Sequence, residues 1–377
     1  MTNKLSQIEI NSFRGIRNLK IDNLGKFNII TGNNNSGKTS FLEALMLLTQ
    51  PNLYNILKVA RVREANKFMF RSRLDSFSSF NYLFNRQNEK LNIGINGIYN
   101  NKDIKLIIEG EFKKELINEN MIRDYIKFPN KKNMIIEEVI PFDEEIESFV
   151  GKHMFSLIKN DNSFEQVEKE LYLNKYNTNR LLNTDSSNGF VTEYQYISSM
   201  DHIIKDNLNP IIKNLEYKKE VIDILKIFDE DIEDLMILPE GENNYIHSVN
   251  SKINGLMPIS SYGDGIKKIL ALAAGIVRAK NGILLVDEIE TSIHKKAMPR
   301  IFHWLIEACN KFNVQLFLTT HSIEAVDEIL NSNSKAIENN WLRVVTLMKK
   351  NKSTYARLLT GNDALQLRDD FDLELRQ

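Results

Sequence analysis

The residues between positions 31 and 40 have the types and the spacing of a phosphate-binding loop. They match the pattern G-x-x-x-x-G-K-[ST] from Gly32 to Thr39. The glycines let the backbone curl so that N–H groups point at phosphate oxygens, and the N-terminus of a following helix favours the same negative charge. Lys38 is expected to neutralise the β- and γ-phosphates of a nucleotide, and the Thr39 hydroxyl to bind Mg²⁺. The residues expected to contact the nucleotide are Gly32, Asn33, Asn34, Asn35, Ser36, Gly37, Lys38, Thr39 and Ser40.

The sequence on either side of this loop predicts the strand and the helix that such a loop needs. Phe27, Ile29 and Ile30 indicate a buried strand that ends at the loop. The apolar run at residues 41–48 indicates a helix that begins there. This context favours a phosphate-binding loop over a simple glycine-containing turn between a strand and a helix.

Two carboxylates follow another apolar strand, at residues 283–286. Because ligands bind at the carboxyl ends of parallel strands, Asp287 is expected beside the Mg²⁺ that Thr39 binds, and to hold it directly or through water. Consecutive strand residues point to opposite sides, so the neighbouring Glu288 is expected to have a different role. We predict that Glu288 is the general base that polarises the attacking water.

A second anion-binding helix start is predicted about twenty-five residues before these carboxylates. Ser261, Gly263 and Gly265 lie at the start of the helical run 266–279 and, with its first amides, offer donors to a phosphate. A phosphate bound at this helix start is hard to equate with the phosphate that residues 32–39 are expected to bind. The alternative is an ordinary glycine-containing loop that caps a core helix.

A histidine follows a third apolar strand, at residues 315–318. His321 is therefore expected near the same edge of the sheet as the two carboxylates. It could hydrogen-bond either the γ-phosphate or the attacking water. Arg14, ahead of the loop's strand, could also reach a nucleotide, but we expect a solvated arginine in a turn.

The composition excludes several classes of protein. The 377 residues contain 49 Lys and Arg against 50 Asp and Glu, so the overall charge gives no bias towards nucleic acid, although a local basic groove is compatible with it. A single cysteine, Cys309, excludes an internal disulfide framework and a multi-cysteine zinc site. The longest apolar run, residues 269–277, is too short to span a bilayer. We therefore predict a soluble, cytoplasmic protein with no membrane partner.

The remaining patterns predict the elements around the site. Strands are predicted near residues 8–13, 16–21, 91–99, 103–112, 134–140, 194–197, 235–238, 245–249, 341–348 and 354–359. Helices are predicted near residues 55–85, 144–158, 164–171 and 220–228, and at the C-terminus.

Taken together, these motifs resemble those of ABC-type ATPases of the RecF/SMC-like branch, and most closely those of the OLD-type and related AAA ATPases of bacteria. The resemblance covers residues 5–48 and 259–324. By this resemblance, residues 13–16 match the N-terminal strand pair, 261–265 the signature motif, 283–288 the Walker B strand, 290–294 the D-loop and His321 the switch histidine. The signature reads S-x-G-x-G and is shorter than the transporter form, and Gln87 is a candidate for the Q-loop glutamine.

This resemblance implies an α/β P-loop NTPase fold of the ABC-ATPase head type with an inserted α+β segment. Residues 1–90 and 251–377 would form the head, and residues 91–250 a segment that senses a partner or nucleic acid. In this family two heads pair head to tail, so each nucleotide lies between the phosphate-binding loop of one copy and the signature serine, here Ser261, of the other. The resemblance thus implies a homodimer or higher oligomer with ATP and Mg²⁺ at its interface.

The leading functional prediction is an ATPase that hydrolyses ATP and controls a separate effector protein or a nucleic-acid interaction, with anti-phage defence as a family-level expectation. OLD nucleases carry a nuclease domain after the ATPase, whereas the 56 residues after His321 are short of a usual domain, so we expect the effector to be a separate protein. The alternative is a DNA-repair or chromosome-associated factor whose ATP-dependent closure clamps DNA. The short signature and the long inserted segment disfavour a transporter's ATPase subunit.

Overall fold

The structure is a computed structural model that describes residues 5–65, 75–86, 91–116, 145–158, 164–178, 191–201, 208–240 and 244–371. The strands are β1 (Leu5–Phe13), β2 (Ile16–Ile21), β3 (Phe27–Thr31), β4 (Leu91–Tyr99), β5 (Lys102–Leu116), β6 (Glu145–Ile158), β7 (Phe164–Asn174), β8 (Tyr194–Ile197), β9 (Ile232–Glu240), β10 (Asn244–Ser251), β11 (Gly255–Pro258), β12 (Ile283–Val286), β13 (Gln315–Thr319), β14 (Leu342–Lys350) and β15 (Ser353–Thr360). The α-helices are α1 (Lys38–Thr49), α2 (Leu53–Ala65), α3 (Ser76–Asn81), α4 (Asn209–Ile212), α5 (Leu215–Leu225), α6 (Asp264–Arg278), α7 (Met298–Lys311), α8 (Ile323–Asn331), α9 (Ser334–Glu338) and α10 (Gly361–Phe371).

A six-stranded sheet in the order β15-β14-β3-β13-β12-β8 carries the predicted site. Its neighbouring strands are parallel, except that β15 runs antiparallel to β14. β3, β12 and β13 are apolar runs whose residues are all buried, as expected for strands covered on both faces. Because these three strands are parallel, their carboxyl ends meet at one edge of the sheet. The phosphate-binding loop, Asp287 and His321 follow these ends directly.

Two hydrophobic cores lie on the opposite faces of this sheet. One contains Leu284 and Val286 of β12 together with the apolar sides of α6 and α7. The other contains Ile283 and Leu285 of the same strand together with α1. Alternate residues of β12 therefore pack into different cores, which fixes the register of this strand in the sheet. Cys309 is a small buried residue of the first core, as its sequence context indicates.

A second six-stranded sheet is antiparallel and has the order β2-β1-β4-β5-β6-β7. The hairpins β1–β2 and β4–β5 are joined in it by the pairing of β1 with β4. This pairing crosses the predicted boundary between residues 90 and 91, and β8, which also lies within residues 91–250, belongs to the central sheet. The role of residues 91–250 as a sensing segment stays a prediction, but parts of this segment share both large sheets with the head.

The predicted helices near residues 144–158 and 164–171 are wrong, because these segments form β6 and β7. β6 pairs with β5 on one side and with β7 on the other. His153, Phe155 and Leu157 are buried at every second position of β6, which is the period of a strand. The lysines and glutamates of β6 and β7 favour helix locally. The pairing of these segments with each other and with β5 overrides that preference.

The mostly helical run predicted at residues 55–85 contains two helices in its described part, α2 and α3, and the other predicted elements of the described residues are confirmed with bounds that differ by a few residues. The predicted strand at residues 134–140 and Gln87 lie outside the described residues. The order and direction of the strands confirm the predicted α/β P-loop NTPase fold of the ABC-ATPase head type. Over the described part of the chain, no helix combines the length and the apolar character that crossing a membrane requires.

Candidate active site

The backbone of the phosphate-binding loop adopts conformations that require its two glycines. Gly32 and Gly37 have φ angles of 140° and 108°, in the left-handed region that disfavours residues with a Cβ atom. A Cβ atom on Gly32 would also lie 2.4 Å from the carbonyl oxygen of Leu347 in β14. The three asparagines between the glycines are exposed. The loop therefore has the curled backbone that the sequence predicts.

Several polar groups of this loop are suited to an anion. α1 begins at Lys38, and its N-terminus has neither a capping side chain nor an acidic residue in the first turn. The Ser36 hydroxyl is buried and has no hydrogen-bond partner among the described residues. Lys38 Nζ donates to the carbonyl oxygens of Gly32 and Asn33, at 2.8 and 3.2 Å, and burial lowers its pKa below the usual lysine value. Uncapped amides, an unpaired hydroxyl and a half-buried cation fit a phosphate group.

The two expected metal ligands meet at the edge of the sheet. The Thr39 hydroxyl donates to the Asp287 carboxylate at 2.9 Å. The same buried carboxylate accepts from the Thr319 hydroxyl at 2.6 Å, and the Tyr196 hydroxyl lies 3.4 Å from it. Mg²⁺ prefers oxygen ligands and keeps several waters, so the hydroxyl and carboxylate of Thr39 and Asp287 fit it. The described residues contain no group of three or more His, Cys, Asp or Glu side chains that could hold a metal.

Glu288 leaves the strand through a left-handed turn. β12 ends at Val286, and Glu288 has a φ angle of 49°. Its N–H donates to the Thr319 hydroxyl at 2.8 Å, while its carboxylate accepts no hydrogen bond from the described residues. The sequence-based reason for separating the roles of Asp287 and Glu288 is therefore wrong, because a turn and not the alternation of a strand separates them.

Lys268 is a fully buried lysine beside the two carboxylates. It lies in α6, its exposed fraction is 0%, and its Nζ is 3.5 Å from the carbonyl oxygen of Glu288. Burial lowers the pKa of Lys268 to about 8, although the charges of Glu290 and Asp287 favour its ammonium form. The backbone of Glu288 is thus held from both ends, by a hydroxyl at its N–H and by an amine at its carbonyl.

Replacing Lys268 by methionine is expected to remove a pH dependence of stability. The pKa in the folded state, about 8, lies below the ordinary lysine value of 10.5, so the unfolded chain binds more protons between these values and the free energy of unfolding of the parental protein rises with pH there. Relative to the parental protein, Lys268→Met should therefore gain about 3 kcal/mol of stability as the pH falls from 10.5 to 7. Urea unfolding of both proteins at pH 7 and 9.5 measures this change. A difference between the two proteins that does not change with pH would contradict it.

Arg14 is not the solvated turn residue that the sequence predicts. Its side chain is only 8% exposed, and its Nε lies 2.8 Å from the Glu43 carboxylate. Arg63 Nη2 lies 2.6 Å from the same carboxylate, which is itself 0% exposed. Burial lowers the pKa of Arg14 to about 10. Arg63, whose side chain is 44% exposed, also donates from Nη2 to the Ser40 hydroxyl at 2.9 Å, so this ion cluster contacts the first turn of α1.

The segment expected to reach a second phosphate lies apart from the phosphate-binding loop. Ser261 and Gly263 are exposed, and a Cβ atom on Gly263 would meet nothing within 4 Å. Gly265 is different, because an added Cβ atom would lie 2.6 Å from the ring of Phe228. Packing against Phe228 therefore explains why residue 265 is a glycine. No contact within the chain explains the glycine at position 263, which faces open space. No hydrogen bond joins residues 261–265 to residues 32–39, all of which are described.

The structure thus brings together some of the predicted site residues and not others. Lys38, Thr39, Asp287 and Glu288 meet at the edge of the central sheet. His321 lies at the end of β13, with its Nδ1 3.0 Å from Glu290 and its side chain 52% exposed. The exposed signature segment does not join this group within one chain.

Sequence reasoning missed four residues of the site, namely Tyr196, Lys268, Glu290 and Thr319. Glu290 and Thr319 lie inside the D-loop and His321 motifs, and their polar types near strand ends were a usable signal. Tyr196 lies in β8, which reaches the site only because it pairs with β12. Lys268 lies in an apolar helical run and looks in sequence like one of two neighbouring surface lysines.

The chain is similar to several known proteins. A family model described as "AAA domain, putative AbiEii toxin, Type IV TA system" matches residues 27–327. The chain is 26% identical over 345 residues to a Helicobacter pylori protein named ATP/GTP phosphatase, and the alignment covers 86% of this chain and 88% of that protein.

Solved structures of SMC head domains are also similar to the chain. One, of the SmcHead bound to the C-winged helix domain of ScpA, is 12% identical with a TM-score of 0.48, and the match covers 96% of this chain and 100% of that one. Another, of an Smc head domain with an extended coiled coil bound to the C-terminal domain of ScpA from Pyrococcus furiosus, is 11% identical with a TM-score of 0.46, and covers 98% and 100%. The family match, which spans most of the chain and includes the loop, both carboxylates and His321, shows that the chain belongs to the AAA-domain family described as "putative AbiEii toxin, Type IV TA system" and is an ATPase.

Proposed function

We propose that two copies of this chain bind ATP between them and hydrolyse it, and that this cycle controls a separate effector protein. In each site, residues 32–39 of one copy hold the phosphates, and Ser261 and Gly263 of the other copy contact the γ-phosphate. Thr39 and Asp287 hold Mg²⁺. The activity in the name of the Helicobacter pylori relative, ATP/GTP phosphatase, supports nucleotide hydrolysis.

The geometry supports a distinct task for each group in this proposal. Lys38 neutralises charge on the β- and γ-phosphates. Mg²⁺, when bound, stabilises charge on the phosphate oxygens. The Glu288 carboxylate polarises the attacking water and receives its proton, which suits a carboxylate with no hydrogen bond from the described residues. Thr319 and Lys268 keep the backbone of Glu288 in its left-handed turn, and His321 hydrogen-bonds the reacting groups.

The exposure of the signature segment is the observation that carries the dimer proposal. Ser261 and Gly263 face open space and make no hydrogen bond to the loop of their own chain. The N-terminus of α6 has no capping side chain and Ser261 lies beside it, an arrangement suited to an anion, although Asp264 in its first turn sets it apart from the start of α1. A second copy, placed head to tail, would give each segment a phosphate. The nucleotide would then form part of the interface, and hydrolysis of the nucleotide would weaken the dimer.

Mixing two inactive variants tests this composite site. Lys38→Ala removes the phosphate contact of the loop, and Ser261→Arg fills the open space at the signature segment, so each variant alone is expected to be inactive. A mixed pair contains one site with both defects and one intact site. The equimolar mixture should regain about a quarter of the parental rate, since about half of randomly formed pairs are mixed and half of their sites are intact.

The matched control is a mixture of Lys38→Ala with Thr39→Ala, two variants of the same loop. No pairing of these copies creates an intact site, so the mixture should stay inactive. Recovery in this control, or none in the Lys38→Ala and Ser261→Arg mixture, would contradict the composite site.

The charge of residues 91–250 favours a protein over a nucleic acid as the partner of this segment. The segment contains 18 Lys and Arg against 30 Asp and Glu, a formal net charge of −12. An acidic surface repels a phosphate backbone and attracts basic protein surfaces. We therefore propose a protein effector with a basic contact surface. The resemblance to OLD-type ATPases supports anti-phage defence as the setting in which this effector acts.

An ATP-dependent clamp on DNA is the second candidate function, and the charge of the remaining chain favours it. Residues 1–90 and 251–377 contain 31 Lys and Arg against 20 Asp and Glu, a formal net charge of +11. A clamp would therefore hold DNA on the head and not on residues 91–250. Binding of duplex DNA that depends on ATP and weakens steeply with salt would support this candidate over the effector.

A further inference from the structure

Glu290 and His321 form a carboxylate–imidazole pair beside the proposed site. Glu290 Oε1 lies 3.0 Å from His321 Nδ1 and also accepts the backbone N–H of His321 at 3.0 Å. The side chain of Glu290 is 10% exposed, and that of His321 is 52% exposed. One oxygen of a nearly buried carboxylate therefore contacts both the backbone and the ring of a half-exposed histidine.

This contact decides which ring nitrogen of neutral His321 carries the proton. A carboxylate accepts hydrogen bonds, so Nδ1 must be the donor. In the neutral ring, Nε2 then holds the lone pair and can only accept. A γ-phosphate oxygen also accepts, whereas a water O–H donates. The pair thus favours water over phosphate as the partner of the neutral ring.

The surroundings of Glu290 support a role beyond holding the backbone. Its Oε2 is buried and has no hydrogen-bond partner among the described residues. Burial lowers the pKa values of Lys38 and Lys268, and the charge of Glu290 opposes this effect at both lysines. A backbone N–H alone could be bound by a neutral side chain. A buried carboxylate is more costly, and the ammonium groups of Lys38 and Lys268 compensate its charge.

We propose that Glu290 is a positioning residue that holds His321 with its proton on Nδ1, so that Nε2 accepts a hydrogen bond from the attacking water. This inference rests on the proposed function, because it assigns His321 to the water that Glu288 polarises. Glu290 itself touches neither ATP nor water in this arrangement.

Steady-state kinetics of Glu290→Ala test the proposal. We expect kcat to fall about 10- to 100-fold, the usual cost of losing a carboxylate that orients a histidine, while the KM for ATP changes little. The control is Glu324→Ala, which removes a carboxylate that accepts from the Ser322 hydroxyl at 2.8 Å, in the segment that follows His321. The control should retain the parental rate. A parental rate for Glu290→Ala would overturn the proposal.

The double variant Glu290→Ala/His321→Ala separates positioning of the ring from support of the loop. If Glu290 acts through the imidazole, the double variant should be no slower than His321→Ala alone. If Glu290 only holds the loop backbone, its removal should slow the His321→Ala protein by a further factor similar to the loss in the parental background. That second result would overturn the proposal.

Nitrogen-15 NMR of histidine-labelled protein gives a readout that needs no hydrolysis. The chain has 6 histidines, and the signal of His321 is the one that His321→Ala removes. At a pH where the ring is neutral, the parental protein should show the proton on Nδ1, and Glu290→Ala should change this tautomer. A proton on Nε2 in the parental protein would overturn the proposal. Parental hydrolysis by both Lys38→Ala and Glu288→Gln would instead overturn the proposed function and leave the tautomer result intact.

Discussion

Replacement of Glu288 by glutamine is expected to lower the rate of ATP hydrolysis about 10²- to 10⁴-fold, the usual contribution of a general base. Glutamine keeps the size of the side chain but cannot receive the proton of the attacking water. The turn at Glu288 should persist, because its N–H and carbonyl are held by Thr319 and Lys268 through backbone atoms that the substitution does not change. ATP should therefore still bind. Phosphate release under saturating ATP, together with a binding measurement, checks both statements.

Two further variants provide comparisons for Glu288→Gln. Lys38→Ala should also abolish hydrolysis, but by weakening the binding of ATP, since Lys38 is the half-buried cation of the loop. Glu338→Gln changes an exposed glutamate at the end of α9 and should hydrolyse ATP at the parental rate. If Lys38→Ala and Glu288→Gln both hydrolyse ATP at the parental rate, the site is wrongly assigned.

Glu43→Ala is expected to have the largest effect on stability, a loss of about 3–5 kcal/mol in the free energy of unfolding. The Glu43 carboxylate is 0% exposed and lies 2.8 Å from Arg14 and 2.6 Å from Arg63. Its removal leaves Arg14, which is 8% exposed, as a buried charge without its ion-pair partner. Because Arg63 also bonds Ser40 in the first turn of α1, ATP binding should weaken as well. Urea unfolding of the variant and the parental protein measures the loss.

A partly exposed ion pair of similar geometry provides the control for Glu43. Asp327 accepts two hydrogen bonds of 2.8 Å from Arg368, and the two side chains are 30% and 17% exposed. Solvent weakens such pairs, so Asp327→Ala should cost only about 1 kcal/mol or less. Similar losses in the free energy of unfolding for Glu43→Ala and Asp327→Ala would contradict the claim that burial makes the Glu43 ion pairs more important for stability.

The phosphate-binding loop and its flanking elements could be predicted from the sequence because their causes are local. The glycines at positions 32 and 37 have the φ angles that the motif implies, and the apolar runs of β3, β12 and β13 are all buried. Since parallel strands end at one edge of a sheet, the positions of Asp287 and His321 followed from the same reasoning.

The features that the sequence could not predict depend on contacts between distant segments. β6 and β7 are strands because they pair with β5 and with each other, while their lysines and glutamates suggest helix. Arg14 is buried because Glu43, from the helix after the loop, lies next to it. Lys268 looks like its neighbour Lys267, yet only Lys268 points into the core. Such residues have no local signal, because their partners are far away in the chain.

The mass of the Glu288→Gln protein with ATP is the measurement that tests the proposed composite site most directly. This variant should keep ATP bound, and sedimentation in the presence of ATP and Mg²⁺ should show a dimer or a larger oligomer. Without nucleotide, with ADP, or with Ser261→Arg added, the mass should fall to that of the 43.7 kDa chain. A Glu288→Gln protein that binds ATP and still sediments as a monomer would contradict the composite site.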